Sequence, residues 1–395
     1  MTFKKLALTL LSTVTLAACG AATSTSNSGA SNTADNETFN VGGNFGLSGA
    51  FSAYGTAIND GAALAFKEIN EDGGVLGKDV NYISVDNKSD ATESTTQTAR
   101  LIDEENISVL VGSDTTGSTE AQIQTATDAS VPIVAPAATG DSLTLDSSGN
   151  VLDYVFRVPF QDAFQGSVLA EFANQEGYET AAIIQDNSSD YGQNLAAEFD
   201  DIFEGEVVGT ESYVSGDTDF NSILNNIASK NPDVIFIAGY YTEGGSIVKQ
   251  AREMGIESAI LAPDGFGAEE FVELAGAKNV NNFYYTAHYT TGEGATDKTT
   301  EFVEAFEAEY GSAPNMFDAL GYDAAYLVAD AAERAGEDDR QAITDALSET
   351  TNFEGVTGTF SFDENHNPVK TAYIIEMENG EEVGSSAVSP EDVAN

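Results

Sequence analysis

The chain reads as an α/β protein of two doubly wound parallel-sheet lobes, on three observations. Short apolar runs bounded by turn residues alternate with longer stretches of helical period from Phe39 onward, the pattern of βαβ units in parallel sheets. Seven or more such units exceed one doubly wound sheet of ordinary size. The 395 residues, 41% of them apolar, suffice for two or three domains with buried cores.

The elements follow in order. Phe39–Leu47 is a strand opening into a glycine-rich loop, and Asp60–Asn70 is a helix with Ala62, Ala63, Ala65, Phe66 and Ile69 on one stripe, closed by Gly73 and Gly74. Val80–Val85 is the next strand, Ala91–Glu105 the next helix. Val109–Gly112 and Pro132–Ala137 flank a helix near Glu120–Ala129. A second series runs Gly166–Asn174 (helix), Thr180–Asp186 (strand), Gly192–Phe203 (helix) and Val207–Tyr213 (strand). It continues through Asp219–Ser229, Val234–Tyr240, Gly245–Met254 and Ala259–Ala262. Residues 290–350 return to helical periodicity, and Gly358–Asp363 and Thr371–Met377 read as closing strands.

Composition excludes several functions. Lys and Arg number 15 against 65 Asp and Glu, a net charge of −50; such a polyanion repels phosphate backbones, so nucleic acid is no partner. One Cys and two His rule out an intrachain disulfide, a Cys₄ or Cys₂His₂ zinc site and a His-rich metal centre. No metal and no cofactor is expected. No Gly-x-Ser-x-Gly elbow occurs, and His288 and His366 have no evident partner serine, so no catalytic residues are assigned.

The N-terminus reads Lys4-Lys5, an apolar run Leu6–Ala18, then Leu16-Ala17-Ala18-Cys19-Gly20, which predicts a signal peptide over 1–18. Cys directly after Leu-Ala-Ala resembles a bacterial lipobox, making Cys19 the lipid anchor; two or more acyl chains hold a protein stably at a membrane. Loss of Lys4 and Lys5 leaves 13 basic against 65 acidic residues, a net −52, beyond what solubility requires and suited to a saline or alkaline exterior. Residues 19–37, mostly Ala, Ser, Thr, Asn and Gly, form a flexible tether.

Open parallel sheets place ligands beyond the carboxyl ends of their strands. The loops so selected include Ser113-Asp-Thr-Thr-Gly-Ser-Thr119, a hydroxyl-rich turn before a helix, where backbone N–H groups and hydroxyls suit a carboxylate or phosphate. The same residues read equally as N-caps. Gly112-x-x-x-x-Gly117-Ser118-Thr119 lacks the lysine of a P-loop. Asp264, in Leu261-Ala-Pro-Asp-Gly-Phe-Gly267, could hold an ammonium or simply form a turn before glycine. Tyr191 and Tyr240 stand at strand ends, positions that also suit half-buried core. Anion donors in one lobe and a lone carboxylate in the other would together bridge a zwitterion.

Leu47-Ser-Gly-Ala-Phe-Ser-Ala-Tyr-Gly55, Asn70-Glu-Asp-Gly-Gly-Val-Leu-Gly77, Gly112 with Ser118-Thr119, Ala135-Pro-Ala-Ala-Thr139, Asp190-Tyr-Gly192 and Gly239-Tyr-Tyr241 resemble, in order from about Phe39 to Met377, the leucine/isoleucine/valine-binding proteins. These are extracytoplasmic receptors of branched-chain amino-acid ABC transporters. The resemblance implies a type I periplasmic binding fold with a three-strand hinge: lobe one over 38–159 and 289–365, lobe two over 160–288 and 366–395. It implies a ligand carboxylate held at Thr116, Ala137 and Thr139, an ammonium held by Asp264 with Tyr191 and Tyr240, and a side-chain wall of Tyr54 and Phe317. Asp264 replaces the longer Glu of the well-studied members, which leaves branched-chain selectivity less secure than amino-acid binding. Receptors for amides, urea or aromatic acids share the fold, and Asp264 argues against those ligands. The implied partners are an amino acid and the permease subunits, and the implied state a monomer on the outer side of the cell membrane.

Overall fold

In the computed structural model, residues 37–292 and 294–393 are described; the expected signal peptide and Cys19 lie outside them, as does all of the tether but Glu37. The first series comprises β1 (Thr38–Phe45), α1 (Ser52–Glu71), β2 (Asp79–Asp86), α2 (Ala91–Asp103), β3 (Val109–Val111), α3 (Thr116–Asp128), β4 (Ile133–Ala135) and β5 (Val155–Arg157). The second runs α4 (Asp162–Gln175), β6 (Thr180–Asp186), α5 (Asp190–Ile202), β7 (Glu206–Tyr213), α6 (Asn221–Ala228), β8 (Val234–Ala238), α7 (Tyr241–Glu253), β9 (Ala259–Ala262), α8 (Glu269–Ala275) and β10 (Phe283–Ala287). The chain then returns through α9 (Asp297–Tyr310), α10 (Met316–Ala335), α11 (Arg340–Ser348), β11 (Phe353–Gly355), β12 (Gly358–Phe362) and β13 (Pro368–Val369). It ends with β14 (Ala372–Glu378), β15 (Glu381–Val388) and α12 (Pro390–Val393).

Two sheets result. The first has strand order β2-β1-β3-β4-β5, every pair parallel. The second repeats that order as β7-β6-β8-β9-β10, also parallel, then adds β14 and β15 antiparallel at the β10 edge. β5 and β10 are too short or too mixed in polarity to register in the periodicity, and β15 (Glu-Glu-Val-Gly-Ser-Ser-Ala-Val) is an exposed edge strand with no apolar alternation. A three-stranded sheet, β11-β12-β13, meets the β5 edge of the first, where Phe362 packs on Phe156 at 5.8 Å. The central strands β3, β4, β8 and β9 are buried apolar runs, as expected where helices cover both faces, while the edge strands β2 and β7 are partly exposed.

Helix α1 starts eight residues before the expected Asp60, because its first two turns carry Tyr54, Ala57 and Ile58 as buried residues. It packs on α10 without side chains between the backbones at two points. A Cβ on Gly61 would collide with the Asp318 carbonyl, and one on Gly321 with the Ile58 carbonyl. This reciprocal contact needs glycine on both helices, and it brings the first turns of α1 and α10 together. An Asn315/Asp318 capping box starts α10, so Phe317 lies in its first turn against Tyr54, ring centroids 4.4 Å apart.

The chain passes between the two sheets three times, after β5, after β10 and after β13. Residues of the three passages touch. His288 stacks on Phe160 at 3.8 Å, and Lys370 Nζ donates to the Val158 carbonyl at 3.3 Å and to Thr357 Oγ1 at 2.6 Å. Burial of the Lys370 ammonium pushes its pKa down to about 7, against the pull of Asp323. Among the described residues no helix is long and apolar enough to cross a membrane, and no group of three or more His, Cys, Asp or Glu could hold a metal ion.

Candidate functional site

One small cavity lies beyond the carboxyl ends of β3, β4, β8 and β9 and beside the first turns of α1, α5 and α10. Tyr54, Thr116, Ala137, Thr139, Tyr191, Tyr240, Asp264 and Phe317 all line it, together with Asp114, Thr115 and Gly265. The eight ligand-site residues expected from the sequence are thus brought together.

On the first-sheet side, α3 begins at Thr116 with Thr115 as N-cap, whose hydroxyl accepts from Ser118 N–H at 3.3 Å; Thr119 N–H goes to the Thr115 carbonyl. The first helical N–H groups have no intrahelical acceptor, so those of Thr116 and Gly117 remain for a ligand, at the positive end of the helix dipole. Thr116 Oγ1 accepts from Gly140 N–H at 3.1 Å, tying this turn to the Ala137–Thr139 turn after β4 and leaving the hydroxyl proton to donate elsewhere. The cap reading and the anion reading of these residues are therefore compatible: Thr115 caps and Thr116 faces the cavity.

On the other side, Asp264 opens a single turn of 3₁₀ helix directly after β9 and is 3% exposed. Its Oδ1 accepts from the Tyr191 hydroxyl at 2.6 Å, and its Oδ2 lies 3.0 Å from His288 Nε2. Its backbone N–H donates to Gln165 Oε1 at 3.1 Å, and Gln165 is fixed in turn by Thr286 at 2.9 Å. Burial pushes the His288 pKa down to about 4, more than the Asp264 hydrogen bond raises it. The imidazole is therefore neutral near pH 7 and, by the hydrogen bond it makes, carries its proton on Nε2 and donates it to Asp264. The Tyr191 hydroxyl also accepts from Gly265 N–H at 3.1 Å, and the Tyr191 ring stacks on Tyr240 at 4.7 Å. Burial holds both phenols well above their ordinary pKa, so they are neutral donors.

The two sides meet through Tyr54. Its hydroxyl donates to the Gly265 carbonyl and accepts from Tyr241 N–H at 3.4 Å. A second buried acid, Asp162, stands behind the cavity, its carboxyl pushed well up by burial and by Asp141; Gln165 Nε2 donates to its Oδ1 at 3.1 Å. His366 takes no part, its Nδ1 lying 3.0 Å from the Val155 carbonyl.

Sequence reasoning missed Asp114, Gly265, Gln165 and His288. Asp114 sits within the hydroxyl-rich turn that was singled out, but among 65 acidic residues its type carried no signal. His288 has no serine partner; its partner is an aspartate, Asp264.

A two-sheet α/β chain with three passages, enclosing a cavity of hydroxyls and helix N–H groups opposite a lone engaged carboxylate, has the architecture of a two-lobed solute receptor. Residues 38–382 match the family model described as periplasmic binding protein, and the chain belongs to that family, with its type I fold. It is similar over 89% of its length, at 41% identity and a TM-score of 0.86, to the whole of a branched-chain amino acid transporter substrate binding protein from Streptococcus pneumoniae in complex with isoleucine. A leucine binding protein from Thermotoga maritima is 32% identical, with 90% of this chain and 100% of that one covered and a TM-score of 0.83. A leucine-, isoleucine-, valine-, threonine- and alanine-binding protein of Pseudomonas aeruginosa is 27% identical over 80% of this chain and 84% of its own. Proteins of the family act outside the cytoplasm.

Proposed function

We propose that the chain is an extracytoplasmic receptor that captures an α-amino acid, with branched-chain side chains the leading candidates, and presents it to an ABC permease. The observation that carries this reading is Asp264, a buried carboxylate whose oxygens are held by Tyr191 and His288 and which lines the same cavity as Thr116 and Thr139. The relatives' names support the ligand class.

In this reading the ligand carboxylate docks on the Thr116 and Thr139 hydroxyls, the free N–H groups of α3 and the backbone at Ala137. The ammonium sits on Asp264 beside Tyr191 and Tyr240, and the side chain lies against Tyr54 and Phe317. Each charge-assisted hydrogen bond contributes about 1.5–3 kcal/mol net, and burying an aliphatic side chain about 1.5–3 kcal/mol. A few of these reach micromolar affinity after the entropic costs. The ligand thereby biases the protein toward the closed form a permease would recognise. The chain acts by binding, with no chemistry of its own. Residues 1–18 serve as signal peptide, Cys19 as lipid anchor and 19–37 as tether, for a monomer held at the membrane by its acyl chains alone.

Amides, urea and aromatic acids carry no ammonium and would leave Asp264 a buried carboxylate without a counter-charge. Calorimetric titration of residues 19–395 with a panel of L-amino acids, urea, acetamide and benzoate tests the reading. Micromolar or tighter binding of at least one amino acid, and none of benzoate or urea, is expected; the reverse pattern would overturn it.

A further inference from the structure

Asp114 is the one carboxyl on the first-sheet side of the cavity. It is the third residue after β3 and is 2% exposed. Its Oδ1 accepts from Gly46 N–H at 2.9 Å and from the Ser113 hydroxyl at 2.6 Å, whereas Oδ2 is buried with no hydrogen-bond partner. Asp114 lines the cavity alongside Thr116, Tyr54, Tyr240 and Phe317.

An unpaired buried carboxyl oxygen is costly, and the cost is largest when nothing polar can reach it. The proposed docking already assigns the ligand's carboxylate to Thr116 and Thr139 and its ammonium to Asp264. What remains of an α-amino acid to meet Asp114 is the side chain. A hydrocarbon side chain would seal Oδ2 from water and leave it orphaned. A side-chain hydroxyl would satisfy it in either protonation state, since a hydroxyl donates to a carboxylate and accepts from a carboxylic acid. A side chain seated beside Asp114 would also meet the aromatic pair Tyr54 and Phe317, which line the same cavity.

We propose that Asp114 makes this receptor selective for an α-amino acid with a short hydroxyl-bearing side chain, threonine or serine, over its hydrocarbon isostere. The inference rests on the α-amino-acid reading of the site and, against the branched-chain side chains named above, narrows it to hydroxyl-bearing ones. A site built to hydrogen-bond a substrate hydroxyl rejects the analogue lacking it, because its own polar group is then left unpaired.

Threonine and valine have nearly the same shape, so their affinity ratio isolates the hydroxyl. Calorimetric titration of the wild-type chain with each should give at least tenfold tighter binding of threonine. Asp114→Leu should reverse the order, with valine about tenfold tighter than threonine. Asp114→Asn, which keeps the shape and a hydrogen-bonding group and covers the case in which Asp114→Leu does not fold, should retain a threonine preference of reduced size. Equal affinities, or a valine preference in the wild type, would overturn the role given to Asp114 while leaving the amino-acid reading intact. Failure of every L-amino acid to bind would instead overturn the reading on which it rests.

Discussion

The two sheets share one strand order, and the cavity takes residues from equivalent places in each. After β1 and after β6 come the helices α1 and α5, which contribute Tyr54 and Tyr191 from their first turns. The turns after β3 and β8 contribute Thr116 and Tyr240; those after β4 and β9 contribute Thr139 and Asp264. Topology therefore sets where a ligand is met, and residue identity sets the sign of what meets it. One half offers hydroxyls and N–H groups at a helix N-terminus, the other an acid flanked by phenols. The halves differ in their acids too. Asp264 has both oxygens engaged by Tyr191 and His288, and Asp114 has one engaged and one orphaned. The first is pre-set for a charge; the second is incomplete until a donor or acceptor arrives.

The sharpest way to break this comparison is to neutralise the engaged acid. Asp264→Asn keeps the volume and an oxygen for Tyr191, so the fold is expected to persist. A bound ammonium would lose the counter-charge of Asp264, and truncating one member of a buried charge pair costs about 2–5 kcal/mol. Calorimetry should show amino-acid affinity reduced about a hundredfold or more, whichever amino acid binds the wild type best. An affinity within a few-fold of wild type would remove Asp264 from the ammonium site and with it the contrast between the halves.

The legibility of the molecule follows the same division. Buried parallel strands such as Val234–Ala238 and Ala259–Ala262 are uniform apolar runs and could be located from the sequence. The exposed hairpin strand Glu381–Val388 has no such pattern and could not. At the site, the residues that a motif carries were legible, because strand-end turns are where an open parallel sheet must bind. His288 was not. Its role comes from a contact with Asp264 across 24 positions of sequence and from the stack on Phe160, on another passage between the sheets. Asp114 was visible in its turn, but only its burial and its orphan oxygen distinguish it from any other acid of a strongly acidic chain.

His288 gives a pH dependence whose sign is fixed by its burial. The ordinary imidazole pKa of 6.5 is lowered to about 4 in the folded protein, so between those values the unfolded chain binds more protons than the folded one. Stability therefore rises with pH across this window, and acidification from 6.5 to 4 removes about 3 kcal/mol at roughly 1.36 kcal/mol per pKa unit. Buried carboxyls with raised pKa, Asp114, Asp162 and Asp318 among them, slope the opposite way. The difference between the wild type and His288→Gln isolates the imidazole, since glutamine still donates to Asp264. Urea unfolding at intervals from pH 4 to 7 should show the variant gaining on the wild type as pH falls; parallel profiles would show that His288 is not held neutral by the fold.

The smallest effect tests what joins the halves. Tyr54 belongs to the helix after β1, yet its hydroxyl donates to the Gly265 carbonyl after β9 and accepts from Tyr241 N–H after β8. Tyr54→Phe removes both bonds and keeps the ring that packs on Phe317 at 4.4 Å. The bond to the Gly265 carbonyl contributes about 0.5–1.5 kcal/mol, the 3.4 Å bond from Tyr241 N–H adds little, and the Gly265 carbonyl can turn to water once the halves part. The closed form alone loses these contacts, so the open–closed equilibrium shifts toward open and apparent affinity falls by the lost closed fraction, about three- to tenfold. Calorimetry should find that drop with any ligand the wild type binds, and small-angle scattering of the ligand-free variant should give a larger radius of gyration than the wild type. If affinity drops while the radius stays the same, Tyr54 acts on the ligand rather than on closure, and the link between the two halves must be sought at the passages where His288 and Lys370 sit.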